Sequence, residues 1–189
     1  MLPALLALSL SAAPVQAVED LSASLVEVSG PRARGAGVVV SAEGHVLTSV
    51  RFVGLDAAAV HTGGEQRDGT VLAADGRLGV AVVRAAGSGW HAAPAGRTPL
   101  SKKGDRVVAV TRAAAGAVAH PGSVLKPPTE RRPFLETDLR HPPGTPLFDP
   151  RGRLVAVLVD ARGRALPLAT VRDLLARQAG LAAPGVRSP

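Results

Sequence analysis

Short runs of valine and alanine, each closed by glycine, proline or aspartate, recur along most of this chain, and that rhythm restricts its fold more than any other feature. Valine suits a pleated, half-buried surface, and runs this short cannot sustain helical periodicity. Residues 36–40 form one such run. Ser41-Ala42-Glu43-Gly44 then turns and residues 45–49 resume, which is a hairpin signal. Residues 57–61, 69–73 and 80–84 read as further strands, and residues 21–28 alternate loosely before Gly30-Pro31 ends them. Strands resume at 105–111, 118–124, 133–137 and 154–160. Many short strands at regular spacing indicate a sandwich or a barrel. One helix is predicted over 170–178, where Val171, Leu174 and Leu175 share a face while Asp173 and Arg177 suit the helix dipole.

The stretch 86–103 is rich in glycine and proline, follows no period, and carries the only tryptophan, Trp90. It reads as a connector between two strand-rich halves. Cysteine is absent, which excludes disulfides and thiolate metal sites and leaves the core alone to hold the fold. That core is built from small residues: hydrophobic content is 46% but aromatic content only 2%.

Residues 1–17 are apolar, lack an early Lys or Arg, and end in small residues. Val15 and Ala17 fit the −3 and −1 sites of a signal peptidase, so a signal peptide cleaved after Ala17 and a periplasmic or secreted location are expected. No later segment is long and apolar enough to cross a bilayer. The formal charge is +7, carried by arginines apart from Lys102, Lys103 and Lys126. These charges are scattered through loops, and stacking aromatics are almost missing, which argues against nucleic-acid binding. The histidines (His45, His61, His91, His120, His141) lack metal-ligand spacing, so neither a metal nor another cofactor is expected.

Several segments in fixed order carry a resemblance. Gly35-Ala36-Gly37-Val38-Val39-Val40 followed by Gly44-His45-Val46-Leu47-Thr48 resembles the hairpin that leads to the catalytic histidine of trypsin-like serine proteases, specifically the HtrA-like bacterial enzymes. Lys103-Gly104-Asp105-Arg106-Val107-Val108 resembles the strand that opens their second barrel, and residues 118–124 a later strand of it. Thr137-Asp138 resembles the entry to their nucleophile loop, and Leu166-Pro167 the approach to their terminal helix. The resemblance covers about residues 22–176 and implies an all-β, trypsin-like double antiparallel β-barrel with a C-terminal α-helix. A protease-homology domain is then expected over 18–178. It divides into an N-terminal barrel at 22–85, a linker at 86–103, a C-terminal barrel at 104–165 and a helix at 170–178, with a flexible tail at 179–189.

The same resemblance places the chemistry, and finds it missing. The histidine of a Thr-x-x-His frame falls on Arg51, whose guanidinium stays protonated and cannot act as a base. The orienting aspartate falls on Gly79; Asp75 nearby reads as a turn residue. The nucleophile falls on Pro143, which offers neither a hydroxyl nor a backbone N–H. The family draws its oxyanion hole from the N–H groups of the nucleophile and of the residue two before it. His141 keeps its N–H and Pro143 has none. One such donor is worth about 2.7–4 kcal/mol of transition-state stabilisation.

A displaced triad from Asp138, His141 and Thr145 is the alternative, which would leave an active serine-type endopeptidase with relocated groups. Ser49 reads as a backbone-bonding residue, and Ser123 has no evident base. The leading expectation is a catalytically inactive homologue that binds a protein or peptide partner in the bacterial envelope. Strand edges of such a scaffold capture extended chains through main-chain hydrogen bonds.

Overall fold

The run Val80-Ala81-Val82-Val83 is buried along its entire length, and this explains why it is apolar without alternation. Val80 and Val82 face one cluster of buried side chains while Val83 and Ala85 face another, so the strand separates two cores. Successive side chains of a strand point to opposite faces, and a strand buried on both must be apolar throughout.

A computed structural model describes residues 21–96, 100, 102–114 and 116–173. Six strands make the first barrel: β1 (Leu25–Ser29), β2 (Arg34–Val39), β3 (His45–Ser49), β4 (Ala57–Thr62), β5 (Glu65–Asp75) and β6 (Val80–Ala85). They close antiparallel in the order β1-β2-β3-β6-β5-β4. Six more make the second: β7 (Arg106–Ala113), β8 (Gly116–Lys126), β9 (Leu135–Thr137), β10 (Pro146–Phe148), β11 (Leu154–Leu158) and β12 (Arg164–Pro167). Read from β7, their order is β7-β8-β9-β12-β11-β10, the same permutation as in the first barrel. The molecule is therefore all-β, a double antiparallel barrel of trypsin-like design, as the sequence predicts.

Each barrel has its own interior. Val26, Val28, Val39, Val46, Val60, Val83 and Trp90 fill the first. Val107, Ala109, Val124, Leu135, Leu147 and Leu158 fill the second. A third cluster joins Val38, Leu47, Val80 and Val82 of one barrel to Phe148, Leu154, Val157 and Leu166 of the other. This third cluster is the seam between the barrels. Arg112 of β7 adds a polar clasp across it, donating to the carbonyls of Ser22 at 2.9 Å and Leu25 at 2.7 Å.

The connector touches both halves: Ala93 N–H donates to Val39 at 2.8 Å, and Pro94 accepts Leu154 N–H at 2.7 Å. Trp90 is buried in the first barrel with Arg67 stacked 4.6 Å from its ring centre. Its indole N–H has no partner among the described residues.

Three local expectations need correction. Residues 21–22 are helical rather than strand: Ser24 folds back on Leu21, its N–H and hydroxyl both donating to the Leu21 carbonyl, and β1 starts only at Leu25. Strand β10 was not anticipated, because it has three residues and begins with a proline. Proline is tolerated at a strand start, where its missing N–H breaks no ladder bond. The C-terminal helix begins at residue 168, two residues earlier than its apolar periodicity suggests. Its continuation over 174–178, the signal segment 1–17 and the tail 179–189 lie outside the described residues. No helix among those described is long and apolar enough to cross a membrane.

Candidate functional site

Strand β3 ends in a single 3-10 turn, Val50–Phe52, that carries Arg51 into solvent. Ser49 caps this turn, its hydroxyl accepting Arg51 N–H at 3.4 Å and donating to the Gly79 carbonyl at 3.3 Å. The same carbonyl accepts Val50 N–H at 3.2 Å. Ser49 is therefore a backbone-bonding residue, 1% exposed. Asp75 Oδ1 accepts Arg77 N–H at 2.8 Å and Leu78 N–H at 2.9 Å, an Asx turn that confirms it as a turn residue. Gly79 closes that turn at φ +75°, a conformation that costs any side-chain-bearing residue about 1–2 kcal/mol.

Arg51 and Gly79 face one cavity of about 420 Å³ at the seam, walled on the other side by Val159, Asp160, Ala161 and Arg162 of the second barrel. Residues 51 and 79, separate in sequence, thus line the same cavity. Pro143 does not line this cavity. It reaches the seam through Gly144, which lies so close to β2 that a Cβ there would collide with the Ala36 carbonyl and touch the Phe52 ring. Gly144 takes φ +82° and donates its N–H to Leu158 at 2.7 Å; Thr145 accepts Leu158 N–H at 2.9 Å. The Pro142-Pro143-Gly144 turn is thus fastened to β11 on one side and pressed on β2 on the other.

The displaced triad does not assemble. Asp138 accepts Ser123 N–H and the Ser123 hydroxyl, both at 2.8 Å. The Ser123 N–H holds its carboxyl below the ordinary carboxylate range, against partial burial. Thr145 is 1% exposed, and its hydroxyl donates to the Pro142 carbonyl at 2.8 Å. The His141 ring packs against His120, with centroids 4.2 Å apart, while His120 Nε2 bonds Thr111 Oγ1 at 3.0 Å. The Ser123–Asp138 pair escaped sequence reasoning because it forms across strands, beside the β8–β9 pairing of Val124 with Thr137. Among the described residues no group of three His, Asp or Glu is placed to hold a metal ion.

Burial, and then the charge of His120, holds the His141 imidazole below its ordinary value of 6.5. As pH falls through that ordinary value the unfolded chain takes a proton that the folded one refuses, so stability falls with it. Stability that depends on Asp138 is instead lost at lower pH, as pH falls through its depressed folded value. In urea titrations, His141→Gln is expected to flatten the slope of stability against pH near neutrality and to leave the acid limb unchanged. An unaltered slope near neutrality would contradict this.

The arrangement finds its match among known folds. Residues 35–157 match the family model described as a trypsin-like peptidase domain. No curated protein sequence matches the chain significantly. Among solved structures, the chain resembles a serine endoprotease from Yersinia pestis with a TM-score of 0.72 and 23% identity. The match covers 86% of this chain and 65% of that one, so the chain spans less than two thirds of its structural relative. With a family match across more than half its length and both barrels in place, this chain belongs to the trypsin-like peptidase domain family.

Proposed function

We propose that this protein is a catalytically inactive, HtrA-like serine protease homologue that captures polypeptide as a scaffold or regulator in the bacterial envelope. The reading is carried by the resemblance, which assigns Arg51, Gly79 and Pro143 to the base, orienter and nucleophile positions, and is supported by the cavity that Arg51 and Gly79 share. None of the three side chains can take over its role. The Pro142-Pro143-Gly144 turn, locked to Leu158 and Ala36, supports the same reading, because it leaves no hydroxyl facing a base. The seam cavity lies beside residues 159–162, the turn that joins β11 to β12, where Val159 N–H donates to the Arg164 carbonyl at 2.9 Å. An extended chain lying in that cavity would contact side chains of both barrels, which line it together.

The test is binding without cleavage. A library of labelled extended peptides should include ligands that raise fluorescence anisotropy and are recovered intact by mass spectrometry after prolonged incubation. Cleaved peptides, or no binding at all, would defeat the proposal.

A further inference from the structure

Four arginines that are distant in sequence meet at the seam cavity. Arg51 comes from the turn after β3 and Arg77 from the turn before β6, while Arg162 and Arg164 come from the second barrel. The sequence suggested charges scattered through loops; folding gathers these four, because the loops of the two barrels face each other across the seam. All four are exposed. The cavity holds one carboxylate, Asp160, and it is already engaged. Its Oδ2 accepts Arg164 Nε at 2.8 Å, and its Oδ1 accepts the backbone N–H groups of Arg162 and Arg164. Among the described residues, the guanidinium groups of Arg51, Arg77 and Arg162 have no ion pair or hydrogen bond.

A neighbouring hollow of about 380 Å³ extends the pattern, sharing Arg162 and Arg164 and adding Arg140. Its second carboxylate, Glu136, is engaged by Lys126 at 2.8 Å and Arg132 at 3.2 Å. The seam therefore presents positive charge whose internal counter-charges are used up. A cleft lined by one sign of charge concentrates ligands of the other, and guanidinium forks pair well with carboxylates.

The placement of the arginines narrows the ligand further. Arg51 and Arg77 stand on the first barrel's wall, Arg162 and Arg164 on the second's. An extended chain lying along the seam sends successive side chains to opposite walls. A continuous run of Asp and Glu would thus meet arginines on both sides.

The geometry points to a seam that selects acidic polypeptide segments bound in extended form. This rests on the polypeptide-binding reading above and specifies the partner's chemistry. The test is fluorescence anisotropy of the full chain with rhodamine-labelled peptides of equal length, one of alternating Glu and Asp, one of Gln and Asn. The acidic peptide is expected to bind about tenfold tighter or more, and to lose that advantage as salt is raised. R51E/R77E should bring the two peptides to parity with an unchanged thermal melt; if that variant does not fold, R162Q should narrow the gap. Equal binding of both peptides would overturn the selectivity while leaving polypeptide capture intact. Binding of neither peptide, nor of any in the library, would overturn both readings. Polyphosphate displacing the acidic peptide with higher affinity would also overturn it, in favour of an inorganic polyanion site.

Discussion

The triple variant Arg51→His, Gly79→Asp, Pro143→Ser is expected to show no more casein turnover than the wild-type protein, although it rebuilds the family's three side chains in name. The obstacle is the backbone. Gly79 sits at φ +75°, and a Cβ there meets the Val159 side chain at 3.3 Å. An aspartate must bear the strain of that conformation or move the turn. Moving the turn displaces the Gly79 carbonyl, which holds Ser49 and Val50 and so positions residue 51 itself. At the other end, Pro142 keeps its φ near −65° beside the new serine, and the loop is bonded to Leu158. Nucleophile and base must come within hydrogen-bond reach of each other, and nothing here aims them. Turnover well above wild type, abolished on returning residue 143 to proline, would show that the scaffold is merely missing its side chains.

Gly144→Val is expected to be the most damaging single change in this loop, lowering stability by roughly 2–5 kcal/mol in urea unfolding. Backbone strain at φ +82° supplies about 1–2 kcal/mol of this, and crowding against a fixed carbonyl about 1–3. Gly79→Ala is the comparison that separates the two terms. It shares the positive φ, but its Cβ meets only the Val159 side chain and carbonyl, none closer than 3.3 Å, so strain dominates and about 1–2 kcal/mol is expected. Equal losses at the two positions would mean that Gly144 is not pressed on Ala36.

Most strands could be read from the sequence because their cause is local: valine-rich runs closed by turn residues. Residues 80–84 and 106–111 are of this kind. Strand β10 could not, because Pro146-Leu147-Phe148 becomes a strand only by pairing with β7 and β11. The same division holds at the site. Arg51 and Gly79 could be placed by counting from Thr48 and from the run at residue 80, and they do share a cavity. Asp138 and His141 suggested a triad by spacing alone. Their partners, Ser123 and His120, are set by the β8 register and the loop's path across it. The arginine cluster was hidden for that reason too. Arg77 and Arg162 lie far apart in sequence and meet only because both barrels repeat one topology and face each other.

The central claim, that a peptidase scaffold here performs no peptidase chemistry, is tested most directly on the unaltered protein. The purified chain should be incubated with casein, with a peptide ester and with a fluorescent phosphonate probe for serine hydrolases. The account predicts no turnover of either substrate and no labelling, because Pro143 offers no nucleophile and the Thr145 hydroxyl is buried and bonded to Pro142. Turnover or labelling that disappears in Thr145→Ala or His141→Ala would contradict it and establish a working site built from the displaced residues.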